Sequence, residues 1–216
     1  MSKTVIFASR HNAINAAVRL VFTVMLVQFL VACGVKAIVI EGEYPTPALR
    51  AIEANVGVYY TPDLKEFMFI EYTDEGDEEY AISSGQTHVE LFDSILPGMF
   101  SSVTVLDDLD EASRAGVDIV FIPNIEEFQL GLPQKTRLGA YEVWLKYNMQ
   151  LLSPNGDYIA DWILTSYGRA PTESFQSVEA GVNEAAVGAL RDLGSNFSLG
   201  FSSVPEVRDW LSEFQQ

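Results

Sequence analysis

The stretch of sequence that decides the fold runs Tyr141-Glu142-Val143-Trp144-Leu145-Lys146-Tyr147-Asn148-Met149-Gln150-Leu151. Apolar side chains alternate with polar ones along it, which is the period of a β-strand that buries one face. The turn-forming residues 153–156 follow, and residues 158–167 return as a second strand. The pattern predicts a long antiparallel hairpin with one apolar face and one mixed face. Trp144 lies on the mixed face, opposite Tyr141 and Tyr147.

Shorter β-type runs precede this hairpin. Residues 56–60, 67–72 and 80–82 are rich in β-branched and aromatic side chains and predict a hairpin or a three-stranded meander. A further strand is expected at residues 103–106. Residues 117–122 are β-branched and nearly continuous in their apolar character, as in a central strand covered on both faces.

Three segments have helical spacing. Residues 87–100 predict a helix that Pro97 kinks or ends. Residues 173–193 predict a longer helix whose buried side is dominated by small residues, so it should lie close against the sheet, with Gly194 as its carboxy-terminal cap. Residues 205–214 predict a short terminal helix. The order of elements predicts an α+β fold, in which a mixed or antiparallel sheet with the long hairpin is covered by two helices.

The charge of the chain is strongly acidic. Thirteen Lys and Arg residues against 30 Asp and Glu residues give a net charge of −17. The basic residues of the first 32 positions, Lys3, Arg10 and Arg19, lie in a stretch without acids, so the remainder holds 10 basic and 30 acidic residues. Such a body repels nucleic acid and anionic lipid headgroups, and neither is expected as a direct partner.

The amino-terminal segment has the pattern of a secretory signal. Residues 20–33 are apolar except for Thr23 and Gln28, and the basic, acid-free region precedes them. The run is too short for a bilayer core of about 30 Å, which takes about 20 helical residues. It is therefore interpreted as the apolar part of a signal rather than as a membrane span.

The residues Leu30-Val31-Ala32-Cys33-Gly34 resemble the lipobox of bacterial lipoprotein precursors. The resemblance implies cleavage between Ala32 and Cys33, acylation of the Cys33 thiol and of its new amino group, and attachment to the membrane through these acyl chains. Because Gly34 is not the Asp that retains enterobacterial lipoproteins at the inner membrane, the resemblance points to the outer membrane, with the protein facing the periplasm. Cys33 is the only cysteine in the chain.

This interpretation divides the chain into three parts. Residues 1–32 are expected to form the signal peptide and residues 33–47 a lipidated tether that contains Gly42, Pro45 and Pro47. Residues 48–216 are expected to form a single α+β periplasmic domain. In outline, residues 87–193 are similar to the lipopolysaccharide-assembly lipoprotein, the curli-secretion lipoproteins and the auxiliary lipoproteins of lipid-transport ABC systems, a resemblance of architecture alone.

No catalytic residue, metal site or cofactor is predicted. His88 would be the only imidazole of the mature chain, and it is interpreted as an exposed or partly buried residue of a helix. Most carboxylates lie in turn-like stretches. Glu126 and Glu127 are the better candidates for hydrolytic chemistry, because they follow the predicted central strand.

Aromatic side chains give the remaining functional signal. Trp144 and Trp162 of the long hairpin are predicted as a possible partner surface. The favoured function is a non-enzymatic accessory or scaffold lipoprotein of a cell-envelope complex, with an envelope protein as partner. The alternatives are a lipoprotein that binds a lipid or another apolar ligand for a transport system and a carboxylate-based periplasmic hydrolase.

Overall fold

The computed structural model describes residues 35–72, 76 and 78–214. Their strands are β1 (Lys36–Val39), β2 (Ile52–Tyr59), β3 (Met68–Tyr72), β4 (Glu78–Ser83), β5 (Phe100–Leu106), β6 (Ile119–Gly131), β7 (Ala140–Leu152) and β8 (Tyr158–Pro171). Their α-helices are α1 (Pro62–Lys65), α2 (Gly85–Ile95), α3 (Pro133–Thr136), α4 (Val178–Gly200) and α5 (Pro205–Phe214). The fold is α+β with two sheets, which confirms the predicted class.

The larger sheet has five strands in the order β5-β2-β6-β7-β8. Strands β5, β2 and β6 run parallel, whereas β6, β7 and β8 form an antiparallel meander. The predicted long hairpin is β7–β8, and the predicted central strand is β6, the third of the five. Trp144 of β7 lies between Gln129 of β6 and Tyr167 of β8. The antiparallel half of the sheet therefore positions the mixed face that the sequence singled out.

The hairpin or meander predicted for residues 56–82 is confirmed only in part. The strands β3 and β4 do form an antiparallel hairpin, but β2 belongs to the other sheet and pairs there with β5 and β6. A parallel partner more than 40 residues away leaves no local pattern in the sequence, because parallel strands are joined by long crossovers.

The smaller sheet has the order β1-β4-β3 and shows where the compact part of the chain begins. The described residues from Ala37 onwards form one compact unit. Ile38, Ile40 and Tyr44 are buried in its core. Three residues of the segment predicted as a lipidated tether, residues 33–47, therefore contribute side chains to the core of the domain.

Helices α2 and α4 cover one face of the five-stranded sheet. Phe92 of α2 packs edge-on against Phe121 of β6 and Tyr147 of β7. Helix α4 packs along β7 and β8 through small side chains, as predicted. The predicted end at Gly194 is wrong, since the helix continues to Gly200. Gly194 instead lies buried against Leu91 of α2, where the absence of a side chain lets the two helices pack closely.

Helix α2 begins at Gly85 and its α-helical part ends at Ile95. A 3-10 turn, Leu96–Gly98, carries Pro97 directly after it. The prediction that this proline ends the regular helix is confirmed, since a proline inside the helix would lack the N–H for the backbone ladder.

Candidate functional site

The uncovered face of the β7–β8 hairpin carries exposed apolar side chains. Trp144, Ile163 and Tyr167 lie on this face by register and are 38%, 47% and 39% exposed. We call these three residues the outer strip. The predicted orientation of Trp144 is confirmed, because Tyr141 and Tyr147 on the opposite face are buried.

Two rings of the outer strip pack on one another. Their centroids lie 5.0 Å apart, with 40° between the planes of Trp144 and Tyr167. The Tyr167 hydroxyl donates a hydrogen bond to Glu142 Oε1 at 2.5 Å. Burial, and then the hydrogen bond to this carboxylate, raises the pKa of Tyr167. The aromatic pair is thereby held in one arrangement before any partner arrives.

Glu142 was not predicted from the sequence, where alternation places it on the mixed face and so predicts exposure. It is only 5% exposed, and its Oε2 has no hydrogen-bond partner among the described atoms. Gly131 on the neighbouring strand β6 leaves room for this packing. A Cβ added there would lie 3.2 Å from Glu142 Cβ and from Trp144 Cζ3 and 3.3 Å from Thr136 Cγ2. The side chains of Glu142 and Trp144 on β7 and of Thr136 on α3 therefore pack closely over this glycine.

A shallow groove of about 200 Å³ lies beside Trp144. Its other lining residues are polar for the most part and come from β6, β7 and β8, namely Glu127, Gln129, Leu145, Lys146, Thr165 and Ser166. Lys146 Nζ lies 2.7 Å from Glu126 Oε2, a contact that raises the pKa of Lys146. The surface around the outer strip therefore places aromatic rings, which are enriched at protein interfaces, beside polar groups of the kind found at an interface rim.

Trp162 does not join this surface. It pairs with Met149 in register, on the helix-covered face of the sheet. Its ring stacks on Phe197 with centroids 6.2 Å apart and meets Phe201 edge-on at 6.0 Å. The two tryptophans predicted together thus lie on opposite faces of the sheet.

The interpretation of His88 as exposed or partly buried is wrong. Its side chain is fully buried between α2 and β7, with Ser84 Oγ 2.9 Å from Nε2 and Tyr147 Oη 2.6 Å from Nδ1. Burial lowers the pKa of His88 to about 3. The imidazole is therefore a neutral part of the core. Its two hydrogen-bond partners replace the water that a buried polar group has lost.

Glu126 and Glu127 do not follow the central strand but lie within it, since β6 extends to Gly131. Each has a partner at the surface, because Glu126 pairs with Lys146 and Glu127 Oε1 accepts a hydrogen bond from Gln129 Nε2. These contacts favour a structural role for both carboxylates.

The predicted cleavage and acylation residues, Ala32 and Cys33, lie outside the described residues. Within residues 35–72, 76 and 78–214, no helix is both long and apolar enough to cross a bilayer. The same part of the chain holds no group of three or more His, Cys, Asp or Glu side chains placed to hold a metal ion.

The structure is similar to the crystal structure of a Xanthomonas campestris protein of the family DUF330, with a TM-score of 0.52, 14% identity and coverage of 82% of this chain and 99% of that one. At this identity the similarity shows the fold alone. Weaker similarities, too low to carry an argument, include a minor lipoprotein of Acinetobacter baumannii (TM-score 0.37, 12% identity, 71% and 94% covered) and the uncharacterised lipoprotein B of Nitrosomonas europaea (TM-score 0.33, 14% identity, 72% and 92% covered). No protein-family model and no curated protein matches the sequence.

Proposed function

We propose that this protein is a non-enzymatic lipoprotein, anchored at the outer membrane and facing the periplasm, that serves as an accessory component of a cell-envelope complex. The observation that carries the proposal is the lipobox-like run Leu30–Gly34, which contains the only cysteine of the chain and lies just before the compact unit that begins at Ala37.

The charge of the domain fits attachment through acyl chains rather than through its surface. A body with 10 basic and 30 acidic residues is repelled by anionic headgroups. Burial of an acyl chain contributes about 0.8 kcal/mol per CH₂ group, so several chains on one cysteine make an anchor that needs no help from the protein surface.

The outer strip is the proposed contact with a protein partner. Trp and Tyr dominate the residues that contribute most to binding at interfaces. The Trp144–Tyr167 pair is already ordered by ring packing and by the hydrogen bond to Glu142, so little side-chain freedom is lost on binding. The surface contacts of Glu126 and Glu127 do not favour the hydrolase alternative, which needs a carboxylate pair poised in a sheltered site.

Replacing Cys33 by serine is expected to abolish acylation, because serine lacks the thiol that receives the first acyl group. The measurement is incorporation of a labelled fatty acid into the full-length protein in a bacterial host. Acylation of the variant at the level of the wild type would contradict the proposal.

Gly34→Asp is the matched variant for localisation in an enterobacterial host. It keeps the acylated cysteine but introduces the residue associated with retention at the inner membrane. We expect normal acylation, with the protein moved from the outer-membrane to the inner-membrane fraction. An unchanged distribution would argue against the proposed sorting.

Neighbouring residues of β7 give a matched test of the partner surface. Leu145→Ala truncates a buried side chain and is expected to cost about 2–5 kcal/mol of stability, whereas Trp144→Ala removes a ring that is 38% exposed and is expected to cost much less. Trp144→Ala should nonetheless reduce recovery of the envelope partner from detergent extracts at equal amounts of folded protein. Equal destabilisation by both changes, with recovery following the folded fraction, would show that Trp144 is merely a core residue.

A further inference from the structure

An apolar groove of about 180 Å³ lies on the helix-covered side of the larger sheet, between residues 44–49 and helices α2 and α4. Leu91 and Ile95 of α2 form its buried floor, and residues 44–49 and the second half of α4 form its walls. Gly194 lets α4 lie close to this floor, since a Cβ there would come within 2.9 Å of Leu91 Cδ1. At the rim, Leu199 is 71% exposed.

The wall formed by residues 44–49 is held at several points. Tyr44 Oη lies 2.6 Å from Thr87 Oγ1 of α2. The carbonyl oxygen of Pro47 packs against Gly98. A Cβ added to Gly98 would lie 2.4 Å from this oxygen. Pro45 and Pro47 also restrict the backbone of this wall. The groove is therefore formed without a ligand, as most small-molecule sites are.

One cationic group lines this groove. Arg191 of α4 donates from Nε and Nη2 to the carbonyl oxygen of Glu43, at 3.3 and 3.2 Å. Within the part of the chain that the structure describes, Arg191 has no carboxylate within 4.0 Å. A guanidinium has five N–H donors, so Arg191 keeps donors for an anion. Arg191 is the only charged side chain among the described residues that line the groove. It therefore offers an anion a direct partner at this site, although the net charge of the whole chain is −17.

We propose that this groove binds a single-chain anionic amphiphile, with its apolar chain along Leu91, Ile95 and Leu199 and its carboxylate or phosphate headgroup at Arg191. Charge complementarity selects this occupant over a neutral apolar molecule, because a charge-assisted hydrogen bond is about twice as strong as a neutral one. The hydroxyls of Ser195 and Thr46 supply further polar groups at the groove. The site depends on neither the acyl anchor nor the outer strip.

Photolabelling of the full-length protein in host membranes tests this site. The probes are a diazirine-bearing fatty acid, a lysophosphatidate with the same chain, and the corresponding fatty alcohol. Adducts located by mass spectrometry are expected on residues 44–49 or 191–199, strongly with the two anionic probes and more weakly with the alcohol. Labelling by the fatty acid alone identifies a carboxylate ligand, and labelling by both identifies a general anionic headgroup, and both results support the site.

Two matched pairs of variants locate the binding. Ser195→Phe adds a ring on the groove side of α4 and is expected to reduce labelling by about tenfold, whereas Asn196→Phe, at the next exposed helix position, should leave it unchanged. Arg191→Gln should lower labelling by the anionic probes by roughly tenfold while sparing the alcohol. Arg208→Gln, on helix α5, is its control.

Retained labelling by the alcohol in Arg191→Gln shows that the groove is intact, so a loss for the anionic probes reports on the headgroup contact alone. Adducts confined to other parts of the chain would overturn the proposal. Equal labelling of Ser195→Phe and Asn196→Phe would overturn it as well, as would equal labelling of the wild type by the acid and by the alcohol. Neither the Cys33→Ser result nor the Trp144→Ala result bears on these outcomes, so this proposal and the proposed function can fail separately.

Discussion

Replacing Gly168 of β8 by alanine is expected to prevent folding or to lower the free energy of unfolding by about 3 kcal/mol or more. Helix α4 crosses β8 at this glycine, and a Cβ would lie 2.0 Å from the carbonyl oxygen of Ala185 and 2.3 Å from the amide nitrogen of Ala189. Both are backbone atoms of a 23-residue helix, so no rotation of a side chain can relieve the overlap. The helix would have to move away from the sheet and open the core beneath it.

Gly188→Ala is the matched control on the other side of the same crossing. A Cβ at this position would meet Gly168 Cα at 3.5 Å, an ordinary van der Waals contact. Because alanine is favoured over glycine inside a helix, this variant is expected to gain roughly 0.5–1 kcal/mol. Chemical denaturation of the two purified variants beside the wild type is the measurement. Similar stability of both variants would contradict the close approach of α4 to β8.

The sequence predicts this close approach only in part. The alanines and glycines of residues 178–194 indicate a helix that lies near a sheet, and the structure confirms it. The prediction that Gly194 ends the helix is wrong, because a glycine that terminates a helix and a glycine that admits a neighbouring helix look the same in one sequence. Only the position of Leu91, about a hundred residues earlier, distinguishes them.

Local alternation along a strand predicts one part of the site, whereas contacts between distant segments decide the rest. Alternation along β7 placed Trp144 on the uncovered face, because the side-chain period of a strand is fixed. The same rule predicts exposure for Glu142, and it fails there because the side chain packs beside Gly131 of β6 and accepts a hydrogen bond from Tyr167 of β8, contacts that depend on the neighbouring strands. The prediction of a surface shared by Trp144 and Trp162 depends on residue type alone. Cross-strand register places Trp162 on the opposite face of the sheet.

His88 is a second position where distant contacts decide the outcome. Its place on the first turn of α2 suggests solvent exposure, but Tyr147 of β7 meets it from the sheet and Phe67 packs edge-on at a centroid distance of 5.7 Å. The hydroxyl groups of Ser84 and Tyr147 take the place of water at the two ring nitrogens, and the imidazole remains neutral. A buried group of this kind couples stability to pH.

The direction of this coupling follows from the two pKa values. His88 titrates near its ordinary value of 6.5 in the unfolded chain, whereas burial lowers its pKa to about 3 in the folded protein. The stability that depends on the neutral ring is therefore fully present above pH 6.5 and is lost as the pH falls from 6.5 towards 3. Within that window one histidine contributes a slope of about 1.4 kcal/mol per pH unit.

His88→Gln is expected to remove this slope. Glutamine does not titrate, so its stability curve should be flatter than that of the wild type between pH 6.5 and 4, although lower at pH 7 by about 1–3 kcal/mol because a buried hydrogen bond is disturbed. Tyr147→Phe is the matched control, since it removes one hydroxyl partner of the ring but keeps the imidazole. Its curve should lie below that of the wild type with the same slope. The measurement is the free energy of unfolding at several pH values, compared as differences so that carboxylates unaffected by either change cancel. Parallel curves for His88→Gln and the wild type would show that His88 is not held neutral in the folded core.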